Sequence, residues 1–217
     1  MEPWFAEAKP VPSLEAEIGF LLWETFPSAP QGAGGNVVQL ELPDDVQGPP
    51  LRIGTAEADA QPVLAAQLAA YYRQVAGLAR QRGLGFDAVR QYFWLDLRLH
   101  DEATGVQLHF PWYDTFATMD HFLAAVAGDD TGRIYDDLDQ GWEIEAWAEG
   151  DTLYIRECDP DAEDGDDDSA VAVKVPRAAL RERTEALRAR TRRLLDFLAR
   201  ELGADVFTSG QAPASFL

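Results

Sequence analysis

The sequence predicts an α+β fold: an antiparallel sheet, made of hairpins and a three-stranded meander, covered on one face by three helices. Two observations predict it. Short runs that alternate apolar and polar residues occur in neighbouring pairs, and three longer stretches repeat apolar residues at helical spacing. A doubly wound parallel sheet needs alternating strands and helices, which this chain lacks. The 217 residues fit a single domain over 1–217, with any sub-boundary near 84–90.

The N-terminal quarter of the chain predicts strands and loops. Residues 14–26 are mostly apolar and predict a buried strand, and residues 37–42 alternate apolar with polar positions. Because a Pro/Gly-rich loop joins them, the two strands predict a hairpin. A further short strand is expected at 51–53.

Three stretches predict helices, of which the last is the longest: 62–82, 114–127 and 176–202. Pro62 and Pro176 suit the first helical turn, where the missing N–H of proline is no loss. Gly83 and Gly203 suit the left-handed residue that commonly ends a helix. Each helix carries an apolar stripe, which predicts the face that it buries.

The clearest strand pairing is a hairpin between Tyr92–His100 and Val106–Phe110. Its register places Leu99 opposite Leu108, because a slip by one residue would mix apolar and polar faces. The predicted core face carries Leu95, Leu97, Leu99, Val106, Leu108 and Phe110. The predicted polar face carries Asp96, Arg98, His100, Gln107 and His109.

A second hairpin is predicted over 141–158, and a strand at 170–175 completes the meander. Its expected core face carries Trp142, Ile144, Ala146, Leu153 and Ile155. Residues 159–168 are predicted to form a mobile acidic loop, because they contain almost no apolar residue. Residues 208–217 form a tail that either docks or frays.

The net charge of −20 and the pI of about 4.3 argue against nucleic acid and anionic membranes as partners. No apolar run approaches the length of a membrane span, and the first residues lack the features of a signal peptide. Cys158 is the only cysteine, so no intrachain disulfide can form. These features predict a cytoplasmic protein, and the heavy use of arginine and alanine is typical of a GC-rich bacterial genome.

The charge is distributed unevenly. Arg156 is the only base between residues 136 and 168, whereas arginines outnumber acids between 174 and 200. Three interpretations are open: a meander and a helix that neutralise one another, a solvated run of charge, or a binding surface for a basic protein. Glu143 and Glu145 share a strand face, from which either can meet Arg156 across the hairpin.

The candidate binding residues are the carboxylates of the predicted acidic loop: Asp159, Asp161, Glu163, Asp164, Asp166, Asp167 and Asp168. A calcium site of the EF-hand kind is not expected there, because Gly165 falls one position late and strands flank the loop. A weaker alternative is a metal site at Asp96, His100 and His109, since imidazoles and a carboxylate are metal ligands. The predicted register places the Arg98 guanidinium opposite His109, where its positive charge disfavours a metal cation. No cofactor is therefore predicted.

Catalytic motifs are absent from the sequence, including a nucleophile elbow, a zinc-binding helix and a phosphate loop. The best interpretation is a non-enzymatic, acidic protein-binding module. In general style, being small, acidic and poor in motifs, the chain resembles bacterial immunity or antitoxin-type proteins, although no specific residues carry this resemblance. Two alternatives remain: a metal-dependent or novel enzyme using the polar face of hairpin 92–110, and an assembly subunit joined through Trp4, Phe5 and the Phe216–Leu217 tail.

Overall fold

The computed structural model of the protein describes residues 2–22, 25–26, 40–41, 52–110, 115–139, 142–159, 170–213 and 215–217. Within these ranges the fold is mixed α+β and its longest helix is the last, as predicted. The strands are β1 (Lys9–Pro10), β2 (Glu15–Leu21), β3 (Thr25–Phe26), β4 (Leu40–Glu41), β5 (Arg52–Gly54), β6 (Leu95–Asp101), β7 (Val106–His109), β8 (Gly132–Asp139), β9 (Trp142–Glu149), β10 (Thr152–Cys158) and β11 (Ala170–Pro176). The helices are α1 (Thr55–Ala60), α2 (Pro62–Gln81), α3 (Phe116–Ala127) and α4 (Arg177–Leu202).

The chain divides into two compact units, each made of three segments. The first unit comprises Met1–Ile18, Leu97–Tyr113 and Thr118–Ala189. The second unit comprises Gly19–Asp96, Asp114–Ala117 and Arg190–Leu217. Because β2, β6, α3 and α4 run through both units, the single domain inferred from the sequence stays a prediction.

The first unit contains a five-stranded sheet in the order β1–β11–β10–β9–β8. Strands β8 to β11 follow one another antiparallel, so the predicted meander exists and gains one strand. The sequence predicted no strand at β8, because its three aspartates mask the alternation. Strand β1 pairs parallel with β11, so the sheet is mixed and the prediction of a purely antiparallel sheet is corrected.

The two faces of this sheet have different coverings. On the core face, Ile144, Ala146, Leu153 and Ile155 are buried as predicted, and Phe122 of α3 contacts Tyr135 of β8 with 5.0 Å between ring centroids. Trp142, predicted for the same face, is the first residue of β9 and is 37% exposed, so its burial is corrected.

The opposite face, called the outer face below, is partly covered by a 3-10 helix, Pro3–Ala6. Phe5 stacks on Tyr154 with ring centroids 4.1 Å apart, and Trp147 meets Phe5 edge-on at 5.9 Å. Trp4 also packs here and is buried. Trp4 and Phe5 therefore supply packing within the first unit and do not form the exposed apolar surface expected of an assembly subunit.

Strands β6 and β7 form the predicted hairpin in the predicted register, with Leu99 opposite Leu108 and Arg98 opposite His109. They belong to a four-stranded sheet in the order β5–β2–β6–β7. Strand β6 begins at Leu95 rather than Tyr92, because Arg90–Phe93 forms a 3-10 helix. The six residues of the predicted core face are all buried, as two-residue alternation requires.

The second unit is organised around α2. Of its predicted stripe, Leu68, Tyr71, Tyr72 and Val75 are buried, and Leu64 and Leu78 are partly buried. The ring of Tyr72 lies within 6.2 Å of Phe20, Phe93 and Phe207, measured between centroids. Phe207 and Phe216 belong to the chain after α4 and are buried, so this part of the tail docks. The helix α1 was not predicted, whereas the expected strand near 51–53 exists as β5.

Two smaller predictions also meet the structure. Thr25 pairs with Glu41 and Phe26 with Leu40, which confirms a hairpin between the first two predicted strands. Gly83 and Gly203 follow the ends of α2 and α4 with φ of 66° and 75°. Both glycines therefore end their helices in the left-handed conformation predicted for them.

Candidate functional site

Most of the predicted acidic binding loop cannot be placed. Asp159 follows the last residue of β10 and is partly buried. The other predicted binding residues lie outside the described residues: Asp161, Glu163, Asp164, Asp166, Asp167 and Asp168. The acidic region that the structure does describe is the sheet formed by β8, β9 and β10.

Glu145 is the centre of a charged cluster on the outer face of this sheet. Its residue is only 5% exposed, although it carries a carboxylate. Arg156 on β10 approaches Glu145 Oε1 to 2.5 Å, and Arg133 on β8 lies 3.6 Å from Oε2. The indole Nε1 of Trp147 donates a hydrogen bond of 3.1 Å to Oε2. The predicted contact between Glu145 and Arg156 across the hairpin is therefore confirmed. The buried carboxylate of Glu145 is matched by two guanidinium groups and a hydrogen-bond donor.

The same two arginines also hold Glu143. Its Oε1 lies 3.3 Å from Arg133 and its Oε2 lies 3.6 Å from Arg156. Arg133 additionally pairs with Asp136 at 2.6 Å. Two guanidinium groups thus serve three carboxylates, and we call this set (Arg133, Asp136, Glu143, Glu145 and Arg156) the ion cluster.

The ion cluster is connected to the N-terminal segment. The guanidinium of Arg156 lies 5.3 Å from the ring centroid of Trp4, within the range of a cation–π contact. Trp4 in turn packs against Tyr154. Both arginines therefore form their described contacts within the first unit.

Cys158 lies beside the ion cluster, where its Sγ donates to Glu143 Oε2 at 3.6 Å. Burial raises the pKa of this thiol to about 11; Arg156 lowers it and the Glu143 carboxylate raises it further. The thiolate is the nucleophilic form of cysteine, so this environment disfavours reactivity.

We therefore expect native Cys158 to react with a thiol reagent at pH 8 roughly a hundred-fold more slowly than free cysteine, because little thiolate forms below its raised pKa. The rate can be followed by the absorbance of thionitrobenzoate released from Ellman's reagent. The urea-unfolded chain is the control and should react at the ordinary rate. Equal rates for the folded and unfolded chains would contradict this assignment.

Four arginines of α4 form described ion pairs with carboxylates that lie outside the meander. In the first unit Arg181 pairs with Asp129, Arg183 with Glu15 and Arg188 with Asp120, the last through two hydrogen bonds. In the second unit Arg193 pairs with Asp59. All four carboxylates lie outside residues 136–168, so these ion pairs do not join the basic helix to the acidic meander.

Strand β8 is the last strand of the five-stranded sheet. Among the described residues its only strand partner is β9, which leaves a row of backbone donors and acceptors on the other side, called the β8 edge below. The sheet register is interrupted between Arg133 and Tyr135 by an extra residue. Leu138, near the end of β8, is 63% exposed.

The alternative metal site at Asp96, His100 and His109 stays a prediction. Asp96 is 2% exposed and His100 is partly buried. The side chain of His109 lies outside the description. No three histidine, cysteine or carboxylate side chains within the described ranges are grouped to hold a metal ion.

Comparison with known proteins gives no family assignment. No protein-family model matches the chain, and no curated protein or solved structure matches it significantly. Among the helices in the described ranges, none is both long and apolar enough to cross a membrane. The functional argument therefore depends on the geometry and charge of the chain itself.

Proposed function

We propose that this protein is a non-enzymatic binding module that takes a basic segment of another protein along the β8 edge and the acidic outer face beside it. The single observation that carries the proposal is the excess of carboxylates in residues 136–168, called the acidic stretch below. It contains fifteen carboxylates and one arginine, Arg156. A surface of one sign attracts partners of the opposite sign and raises their rate of association.

The ion pairs support this view of the acidic stretch. Arg133 and Arg156 are both committed to the ion cluster, and the four paired arginines of α4 are committed to carboxylates elsewhere. Among the described residues, the exposed acids Glu149 and Asp151 form no ion pair and are available to a cationic partner in solution. The described ion pairs therefore do not neutralise these two charges.

The backbone of β8 supports a strand as the form of the partner. An exposed sheet edge binds an extended peptide through main-chain hydrogen bonds, while alternate side chains provide specificity. A second copy of this chain is a poor partner, since Asp136 and Asp137 would face like charges across the new pair. A basic segment relieves that repulsion, and the exposed Leu138 offers it an apolar contact.

The class of protein that fits is the acidic protein-binding module of the immunity or antitoxin type, acting in the cytoplasm. The raised pKa of Cys158 gives no support to a nucleophilic enzyme. The strong negative charge also disfavours nucleic acid as the partner.

The proposal is tested with a short peptide that alternates arginine with valine, titrated by calorimetry at about 50 mM and about 500 mM salt. We expect the double variant Glu149→Gln/Asp151→Asn to bind this peptide about ten-fold more weakly at low salt, because it removes two exposed charges from the acidic stretch. The matched control, Glu182→Gln/Glu185→Gln, removes two exposed charges from α4 and should bind like the wild type.

A second peptide with alternate N-methyl groups keeps the charge but cannot pair with a strand, and it should bind much more weakly. Equal weakening by the two double variants would show attraction by net charge alone and would overturn the proposal. Equal binding of the two peptides would show that the partner does not pair with the β8 edge.

A further inference from the structure

The second unit contains a cavity that the proposed function does not use. Its volume is about 780 Å³, within the size range of small-molecule sites. It lies where the end of α2 meets the docked tail, and two short segments supply most of its wall: 83–87 and 210–213. All of the lining residues belong to the second unit, so this cavity is separate from the acidic face of the first.

Two arginines line the cavity, Arg80 from the last turn of α2 and Arg90 from a 3-10 helix. Among the described residues neither guanidinium forms an ion pair or a side-chain hydrogen bond. This contrasts with Arg73 in the same unit, which pairs with Glu201 at 3.3 Å. In a chain of net charge −20, where carboxylates are abundant, two unpaired arginines in one cavity indicate a site for an anion.

The guanidinium of Arg90 lies close to the backbone of Gly210. A Cβ added at Gly210 would lie 2.9 Å from Arg90 Nη2 and 3.0 Å from Nε, and also 2.7 Å from Thr115 Cγ2. Gly210 has φ of 63°, which other residues adopt only with strain. Glycine at position 210 thus lets the docked tail approach the guanidinium.

The rest of the cavity wall combines an apolar part with polar groups. Phe86 packs edge-on against Phe216 at 5.8 Å between centroids, and Leu84, Pro213 and Leu217 add aliphatic surface. Asp87 is also in the wall, so the lining side chains carry a net charge of +1. A monoanion with an apolar body therefore suits the cavity better than a polyanion does.

From these contacts we infer a binding site for a small organic monoanion, with its anionic group on Arg80 and Arg90 and its apolar body against Phe86. A guanidinium binds a planar carboxylate through two parallel hydrogen bonds, which gives orientation as well as affinity. The inference is independent of the proposed function, because it uses the second unit alone.

The test uses 3-phenylpropanoate as the probe, followed by the backbone amide shifts of the ¹⁵N-labelled chain. We expect saturable shifts at Gly83, Gly85 and Gly210. Arg90→Gln should weaken binding by about ten-fold, since a charge-assisted pair is lost, and Arg80→Gln by a similar factor. The matched control is Arg82→Gln, which removes the same charge from a residue that does not line the cavity and should leave binding unchanged.

Two further probes separate the anionic group from the apolar body. The alcohol 3-phenylpropanol, which lacks the charge, should bind at least about ten-fold more weakly than the acid. Inorganic phosphate, which lacks the body, should shift the same amides only at much higher concentration. Equal binding of the acid and the alcohol, equal loss in Arg82→Gln and Arg90→Gln, or no shift with the acid would each overturn the inference.

Discussion

Replacing Phe207 by alanine should lower the free energy of unfolding by about 3–5 kcal/mol, the usual cost of deleting a buried phenylalanine ring. The ring is fully buried and packs edge-on against Phe20, Tyr72 and Phe93 at centroid distances of 5.6, 4.8 and 5.7 Å. These partners come from different parts of the second unit, so the cavity left by the substitution cannot be filled by one local movement.

Urea unfolding followed by circular dichroism measures this loss. The control is Val63→Ala on α2, where the side chain is 68% exposed and the expected change is within about 0.5 kcal/mol. The backbone N–H groups of Phe116 and Ala117 donate to the carbonyls of Phe207 and Thr208, and they keep their partners in the variant. A loss below about 1 kcal/mol for Phe207→Ala would mean that the tail does not dock as described.

The second large effect is expected at Glu145. Glu145→Ala should lower the stability by about 2–3 kcal/mol, because it leaves Arg156 without its nearest carboxylate and the indole N–H of Trp147 without its acceptor. The effect is opposite to that expected from net charge alone, since removing one acid from a chain of −20 reduces repulsion.

The matched control for this prediction is Glu149→Ala, which removes an exposed acid from the same strand face. Its stability should equal that of the wild type or exceed it slightly, because only repulsion is removed. The conservative variant Glu145→Gln should fall between the two, since its amide oxygen still accepts a hydrogen bond. Similar losses in Glu145→Ala and Glu149→Ala would show that the ion cluster does not stabilise the sheet.

Local periodicity made parts of this fold predictable. The β6–β7 register followed from alternation, because a one-residue slip would bury Arg98 and expose Leu99. Helices α2 and α4 followed from their apolar stripes and terminating glycines. Strand β8 was missed because Asp136, Asp137 and Asp139 are poor strand formers, and pairing with β9 outweighs their local preference.

Long-range contacts were not predictable from local pattern. The parallel pairing of Lys9 with Val173 joins opposite ends of the sequence without a local indication. The burial of Phe207 is likewise decided by rings distant in the chain. The contact between Glu145 and Arg156 was predictable, because the two residues face each other in one hairpin. The contact between Glu145 and Arg133 was not predictable, because it depends on the pairing of β8 with β9.

The cavity of the second unit shows the same limit. Arg80 and Arg90 flank a short loop in the sequence, which is a common arrangement with no functional meaning on its own. Their relation to Gly210 appears only when the tail is docked. A site assembled from two distant segments leaves no spacing pattern that a single sequence can reveal.

The central claim is that the β8 edge accepts a basic strand, and hydrogen exchange along β8 tests it most directly. With the arginine–valine peptide bound at low salt, the account predicts slower exchange at those amides of residues 132–139 that point away from β9. The amides that already pair with β9 should change little. Protection confined to α4, or no added protection in β8 while the peptide is bound, would contradict the account.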